Sequence, residues 1–172
     1  MHLIIGIDPG KNGAIVKLCG SDYSIYKIPL IKNIIDVPKL IQILKPDTTS
    51  NISVFIEEVH AIFGSSAGAT FSFGYTCGLL EGIVSSLGIP YNKVQPKTWQ
   101  KVMFEGIPKI YKPKKPGQKR DVMDTKAMAL VAAQRIFPNV CLKKSDRCKN
   151  HDDGIVDALL IACYGSRHQR IC

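Results

Sequence analysis

Three acidic sites, far apart in the chain, each lie at the edge of an apolar element. Asp8 closes the run Leu3 to Ile7. Glu57 and Glu58 close Ser53 to Ile56, and Asp152, Asp153 and Asp157 head the run Ala158 to Ala162. A carboxylate is costly to bury, so one that ends a core element wants a partner such as a metal ion. Asp153 and Asp157 are four apart and share one face of a helix, a turn above one another. Such a set suits hard divalent cations, which take oxygen ligands. Taken singly, each acid also has a plainer reading: Asp8 organises a turn, and Asp152 or Asp153 caps a helix.

The elements that must position these acids follow from pattern. Leu3 to Ile7 is β-branched and bounded by glycine and proline, which predicts a buried strand. Pro9, Gly10 and Gly13 turn the chain so that Ala14 to Leu18 returns beside it, and Ser24 to Ile28 makes a third strand. Asp36 to Leu44 has apolar residues at helical spacing and stops at Pro46. Asn51 to Glu57 is then a strand reached by a helical crossover, parallel to the first. Phe71 to Leu87 is a long helix with Gly74, Gly78 and Gly82 on one face. Glycine weakens a helix, so three in register predict close packing, on the protein's own sheet or on a second copy. Tyr91 to Gln95 is the fifth strand, and Pro96 starts a short helix to Phe104. A helix from Asp124 to Ile136 precedes the acidic one. The expectation is an α/β fold with a mixed sheet and helices on both faces. At 172 residues, one domain is the simplest reading.

A net charge of +9 points to a polyanionic partner. The excess is concentrated: Lys93 to Arg120 holds nine Lys or Arg against a single acid, Glu105. The part from Lys109 to Arg120 is rich in proline and lacks periodicity, so it reads as a mobile loop that orders on phosphate. No apolar stretch approaches the ~18 residues of a membrane span, so the chain is expected to be soluble and intracellular. The six cysteines form no CxxC pair and are expected to be reduced thiols. Cys141, Cys148 and His151 have irregular spacing and no fourth ligand, which argues against zinc.

Gly6-Ile7-Asp8-Pro9-Gly10, Ile56-Glu57-Glu58-Val59 and Asp153-x-x-x-Asp157-Ala158-Leu159 together resemble the motifs of RuvC-type Holliday junction resolvases. They stand in the family's order and at similar separations. The stretch from Gly88-Ile89-Pro90 through Pro96 to Trp99 is similar to the phage and viral branch. The resemblance implies an RNase H-like fold, a five-stranded mixed sheet flanked by helices. It implies a homodimer that hydrolyses phosphodiester bonds in branched DNA, the Holliday junction, during recombination, repair or replication. No small-molecule substrate and no membrane is implied. The location would be the cytoplasm, or the host cell interior if the chain is phage or viral.

The same resemblance assigns Asp8, Glu57, Asp153 and Asp157 as catalytic residues holding two Mg²⁺ ions, with Mn²⁺ as substitute and Asp8 as bridging ligand. Glu57 is preferred to Glu58 because strand alternation lets one of the two face the site, and alignment selects the first. Many bacterial relatives place their last acids three apart, which here falls on Gly154. This chain uses four-apart spacing, with Asp152 as a competitor for Asp153. For DNA, His60 falls where relatives place a base-stacking aromatic, and Phe63 is an alternative. Lys101 and Lys126 lie near lysines that contact DNA beside the scissile phosphate, Gln100 competing with the first. Lys112, Lys114, Lys115, Lys119 and Arg120 would hold duplex arms through phosphates. Sugar-kinase and actin-like ATPases share an Asp-x-Gly turn but need two lobes, and this chain barely supplies one. A nuclease for flaps, other branched DNA or RNA–DNA hybrids, and a non-catalytic junction-binding protein, are the other readings.

Overall fold

A computed structural model describes residues 2–45, 51–58, 64, 66–145 and 147–169. In chain order, β1 (Leu3–Asp8), β2 (Ala14–Cys19) and β3 (Asp22–Lys27) form an antiparallel meander. A two-stranded hairpin, β4 (Leu30–Ile31) and β5 (Ile34–Ile35), leads to α1 (Val37–Leu44). Then come β6 (Ile52–Glu57), α2 (Ala67–Ser86), β7 (Tyr91–Val94), α3 (Pro96–Met103), α4 (Thr125–Ile136) and α5 (Asp153–Gln169). The main sheet has the order β3-β2-β1-β6-β7, with β6 parallel to β1 and β7 parallel to β6. This is the mixed five-stranded sheet expected from the pattern.

Alternation along the strands divides the core in two. Ile4, Val16 and Phe55 pack with α3, α4 and α5 on one face. Ile5, Ile7, Val54 and Ile56 pack with α1 and α2 on the other. The closest approach is that of α5 to β1. A methyl carbon added at Gly6 would sit 2.3 Å from the Ala158 carbonyl oxygen and 2.4 Å from the Ala162 nitrogen. The helix backbone therefore lies directly on the strand, which only small residues on both sides permit.

Three features depart from the sequence reading. The hairpin β4–β5 was not expected, because two-residue arms are too short for alternation to show. Its turn residues Lys32 and Asn33 both take positive φ, as a tight mirror-image turn requires. The glycine face of α2 does not pack on the protein's own sheet: a methyl carbon at Gly74, Gly78 or Gly82 meets nothing within 4 Å. The helix docks on the sheet through Leu80, Ile83 and Val84. The glycines, with Phe71 (77% exposed) and Tyr75 (55%), are left facing outward.

The basic loop also has more structure than a mobile tract. Tyr111 and Met123 bridge as antiparallel partners, and Lys112 N–H donates to the Val122 carbonyl at 2.9 Å. A turn at its tip closes with Gln118 N–H on the Lys115 carbonyl at 3.0 Å, with Gly117 at φ 80°. Among the described residues, no helix is long and apolar enough to cross a membrane.

Candidate active site

The C-terminal ends of β1 and β6 lie side by side, and alternation aims one acid from each toward α5. On β1, Ile4, Gly6 and Asp8 share that face. On β6, Phe55 packs against Gly165 of α5, so Glu57, two residues on, points the same way. Its carboxylate accepts a 2.9 Å hydrogen bond from the indole Nε1 of Trp99 on α3. Glu58 turns to the opposite face, within range of Lys93, whose ammonium pairs with Glu81 of α2 at 2.9 Å. Asp157 directly precedes Ala158, one of the residues over Gly6, so the packing of α5 on β1 delivers it to Asp8.

The electrostatics show three carboxylates in one another's field. Burial pushes Asp8 up to about 8, with Glu57 and Asp157 adding to the shift and Lys27 opposing it. Burial pushes Asp157 up to about 7, with Glu57 and Asp153 adding and Lys126 opposing. Glu57 is also raised by burial, against the pull of the Trp99 hydrogen bond. Burial and mutual repulsion thus both oppose the full charge of the cluster, and a cation brought to it would favour that charge.

The two neighbouring aspartates separate by partner. Asp152 caps α5, accepting from Ile155 N–H at 3.1 Å, and pairs with Lys27 Nζ at 2.7 Å. Lys27 also donates to the Asn12 carbonyl, tying the cap to the β1–β2 turn. Asp153 instead stands on the wall of the cleft and pairs with Lys126 at the start of α4. Gly154 explains the four-residue spacing. A side-chain carbon there would lie 2.5 Å from the Asn12 carbonyl oxygen and 3.0 Å from Asp8 Oδ2, so no carboxylate fits three residues before Asp157.

Around these groups is an open cleft of about 590 Å³, lined by Asp8, the turn Pro9 to Gly13, Phe73 and Thr76 of α2, Lys126, Asp153 and Asp157. Lys101 lies in a separate groove of about 930 Å³ with Lys97 and Lys109, beside Met123 and Met128. Lys112, Lys114, Lys115, Lys119 and Arg120 are all exposed on the loop before α4, Lys114 pairing with Asp121 at 3.1 Å. His60 and Phe63 lie outside the described residues.

Sequence reasoning passed over Lys27, Trp99 and Phe73. Lys27 had a signal: in register, Asp8 faces Ala14 and Ala14 faces Lys27, so a hairpin alignment puts all three in one row of the sheet. Trp99 closed the stretch that resembles the phage and viral branch but was given no role there, and Phe73 had no signal, since helical periodicity marks a buried face and not the residue it touches.

The donor set fits divalent cations in its chemistry: three carboxylates whose ionisation is opposed by burial and repulsion, with a fourth, Asp153, on the cleft wall. Among the described residues no three His, Cys, Asp or Glu side chains are already closed around one point, Cys141, Cys148 and His151 included. Mutually repelling acids, offset only in part by Lys27 and Lys126, are expected to stand apart until cations draw them in.

No family model matches the chain, and no curated protein matches it in sequence. Solved structures do match in fold. "T. thermophilus RuvC in complex with Holliday junction substrate" superposes at a TM-score of 0.57 with 15% identity, over 99% of this chain and 96% of that one. "Thermus thermophilus RuvC structure" gives 0.56 and 17%, over 98% and 96%. The architecture is thus that of RuvC, an RNase H-like fold.

Proposed function

We propose that this RuvC-like chain is a single-domain, structure-selective endonuclease that resolves four-way DNA junctions by divalent-metal-dependent hydrolysis. The observation that carries the reading is the convergence of Asp8, Glu57 and Asp157, half-buried and mutually repelling, at the strand ends of a sheet and the head of α5, on a chain rich in exposed lysines. A relative of the same fold is a RuvC bound to a Holliday junction.

Asp8, Glu57, Asp153 and Asp157 would hold two Mg²⁺ ions, or Mn²⁺ in their place. When bound, such ions supply an activated water and neutralise charge at the scissile phosphate. Before that, Lys126 balances Asp153 and Lys27 balances Asp8, so the acids can fold together. Asp152 does structural work as the α5 cap. Lys101 and the basic loop hold duplex arms through phosphates, which sets affinity and register and carries no sequence information.

The test is a cleavage assay on four-way junctions, flaps, RNA–DNA hybrids and linear duplex, each in Mg²⁺ and in EDTA. Junction-selective cutting in Mg²⁺ alone is expected. Preference for flaps or hybrids would transfer the proposal to another nuclease of this fold, and binding without cutting would make the chain a junction-binding module.

Neutralising Lys112, Lys114 and Lys115 together is expected to weaken junction affinity and flatten its salt dependence. The slope of log K against log salt should fall by up to about three units, near 0.9 per phosphate contact. An unchanged slope would make the loop a bystander.

The active species is proposed to be a homodimer, because two symmetric strands must be cut and one cleft of this size reaches one strand. Two-fold pairing supplies the second cleft. The outward face of α2 is the proposed contact, since its glycines allow close approach and Phe71 and Tyr75 offer burial. Gly78→Leu tests it: nothing lies within 4 Å of that position, so the fold should tolerate the change. Removing a helical glycine should even raise helix stability by up to about 1 kcal/mol. The expected result is a folded monomer that no longer cuts both strands of a cruciform together. A variant that stays dimeric and active would move the interface to another surface.

A further inference from the structure

Trp99 is the only tryptophan in the chain and is fully buried, at 0% exposure. A tryptophan at the head of an amphipathic helix is ordinarily core, and its rim does pack edge-on against Phe104, with ring centroids 6.0 Å apart. Its polar atom is what sets it apart. The indole Nε1–H, which can only donate, is spent on Glu57 Oε1 at 2.9 Å. The backbone places this contact firmly. Val94, the last residue of β7, is the register partner of Glu57, and Glu58 N–H donates to the Val94 carbonyl at 2.8 Å. Gln95 stands at the N-cap position of α3 without a side-chain capping bond, and Trp99 N–H donates to the Gln95 carbonyl at 3.3 Å, so the indole arrives one turn after the strand end.

We infer that Trp99 is a positioning residue for the metal site: its indole fixes one oxygen of Glu57 and so presents the other to a divalent cation in the Asp8–Asp157 cleft. The inference rests on the metal-dependent reading above. A donor-only partner engages one carboxylate oxygen as acceptor and leaves the other free. Fixing the ligand's orientation in advance removes rotamers that binding would otherwise have to freeze. Partners of metal ligands commonly contribute 10- to 100-fold in affinity.

The experiment is Mn²⁺ binding to metal-free protein without DNA, followed by calorimetry and by electron paramagnetic resonance, for wild type, Trp99→Phe and Asp8→Asn. Phenylalanine keeps most of the ring and removes the N–H. The expected result is a Trp99→Phe protein that folds and binds Mn²⁺ about 10- to 100-fold more weakly. Its junction affinity in EDTA should match wild type. A folded Trp99→Phe protein with wild-type Mn²⁺ affinity overturns the inference and leaves the nuclease reading intact. Wild-type protein that binds no Mn²⁺ sensitive to Asp8→Asn overturns both. Should Trp99→Phe fail to fold, the wild type carries its own reporter, because all indole emission comes from Trp99. Saturating Mg²⁺ is then expected to shift that emission, and Asp8→Asn, which leaves Trp99 and Glu57 in place, to abolish the shift. Emission that stays constant while calorimetry registers Mg²⁺ binding overturns the inference.

Discussion

Asp8→Asn is expected to abolish junction cleavage, by about a thousandfold or more, while leaving junction binding within a few-fold of wild type. A thousandfold is ~4 kcal/mol of transition-state stabilisation, the order expected when a ligand shared by the catalytic ions is lost. Asparagine keeps the shape and one carbonyl oxygen of Asp8 but not its charge, and the lysines proposed to meet DNA lie on α3, α4 and the loop before α4. The fold should not suffer. Asp8 is held near 8 chiefly by burial, so in metal-free protein at neutral pH its ionisation works against folding, and the neutral amide removes that cost. Cleavage of labelled four-way junctions in Mg²⁺ and gel-shift titration in EDTA give the two readouts. Loss of both, from a folded variant, would count against a metal role for Asp8.

The stability of metal-free protein is expected to fall as pH rises, the reverse of the behaviour of most salt-bridged acids. In the unfolded chain Asp8 and Asp157 hold a proton only up to near 3.8; folded, they hold it to about 8 and about 7. The native state therefore binds more protons throughout that window, and unfolding free energy declines with each step up in pH. The stability these carboxyls contribute is intact below about 4 and gone above about 8. Cations reverse the trend, since they bind the ionised site of the native state and pull folding with them. Thermal midpoints from about pH 5 to about pH 8.5, in EDTA and in Mg²⁺, check this. The EDTA curve should descend, Mg²⁺ should raise it most at the alkaline end, and Asp8→Asn should flatten it. A level EDTA curve across that range would refute the buried-carboxyl account.

The architecture was legible because its signals are long and redundant. Leu3 to Ile7 and Ser53 to Ile56 are apolar strands with acids at their exits, and Asp36 and Asp124 stand as side-chain caps where helices begin, whereas α2 starts at Ala67 on its cap Ser66, four residues before the expected Phe71. The choice of Glu57 over Glu58 was legible in part from the two-residue period of a strand. Asp152 against Asp153 was not, because the deciding partner, Lys27, lies 125 residues away and pairing at that distance leaves no local pattern. The glycines of α2 were visible as a stripe, yet a stripe of small residues looks the same whether something covers it or not. The bridge at the base of the basic loop was hidden by prolines and lysines that mask alternation.

The close seating of α5 on β1 also sets when the carboxylate cluster can form during synthesis. The strand is made well before the helix, and α5 supplies Ile155, Val156 and the run Ala158 to Cys163 of the core on that side. A nascent chain extends by roughly 5–20 residues each second. Until α5 emerges from the ribosome, the sheet face that bears Asp8 and Glu57 is bare, and Asp157 does not yet exist. Contacts between such distant segments make the final docking slow and leave apolar surface for chaperones to cover meanwhile. Core closure and assembly of the carboxylate cluster thus coincide, so no chain made only as far as α4 carries the complete cluster.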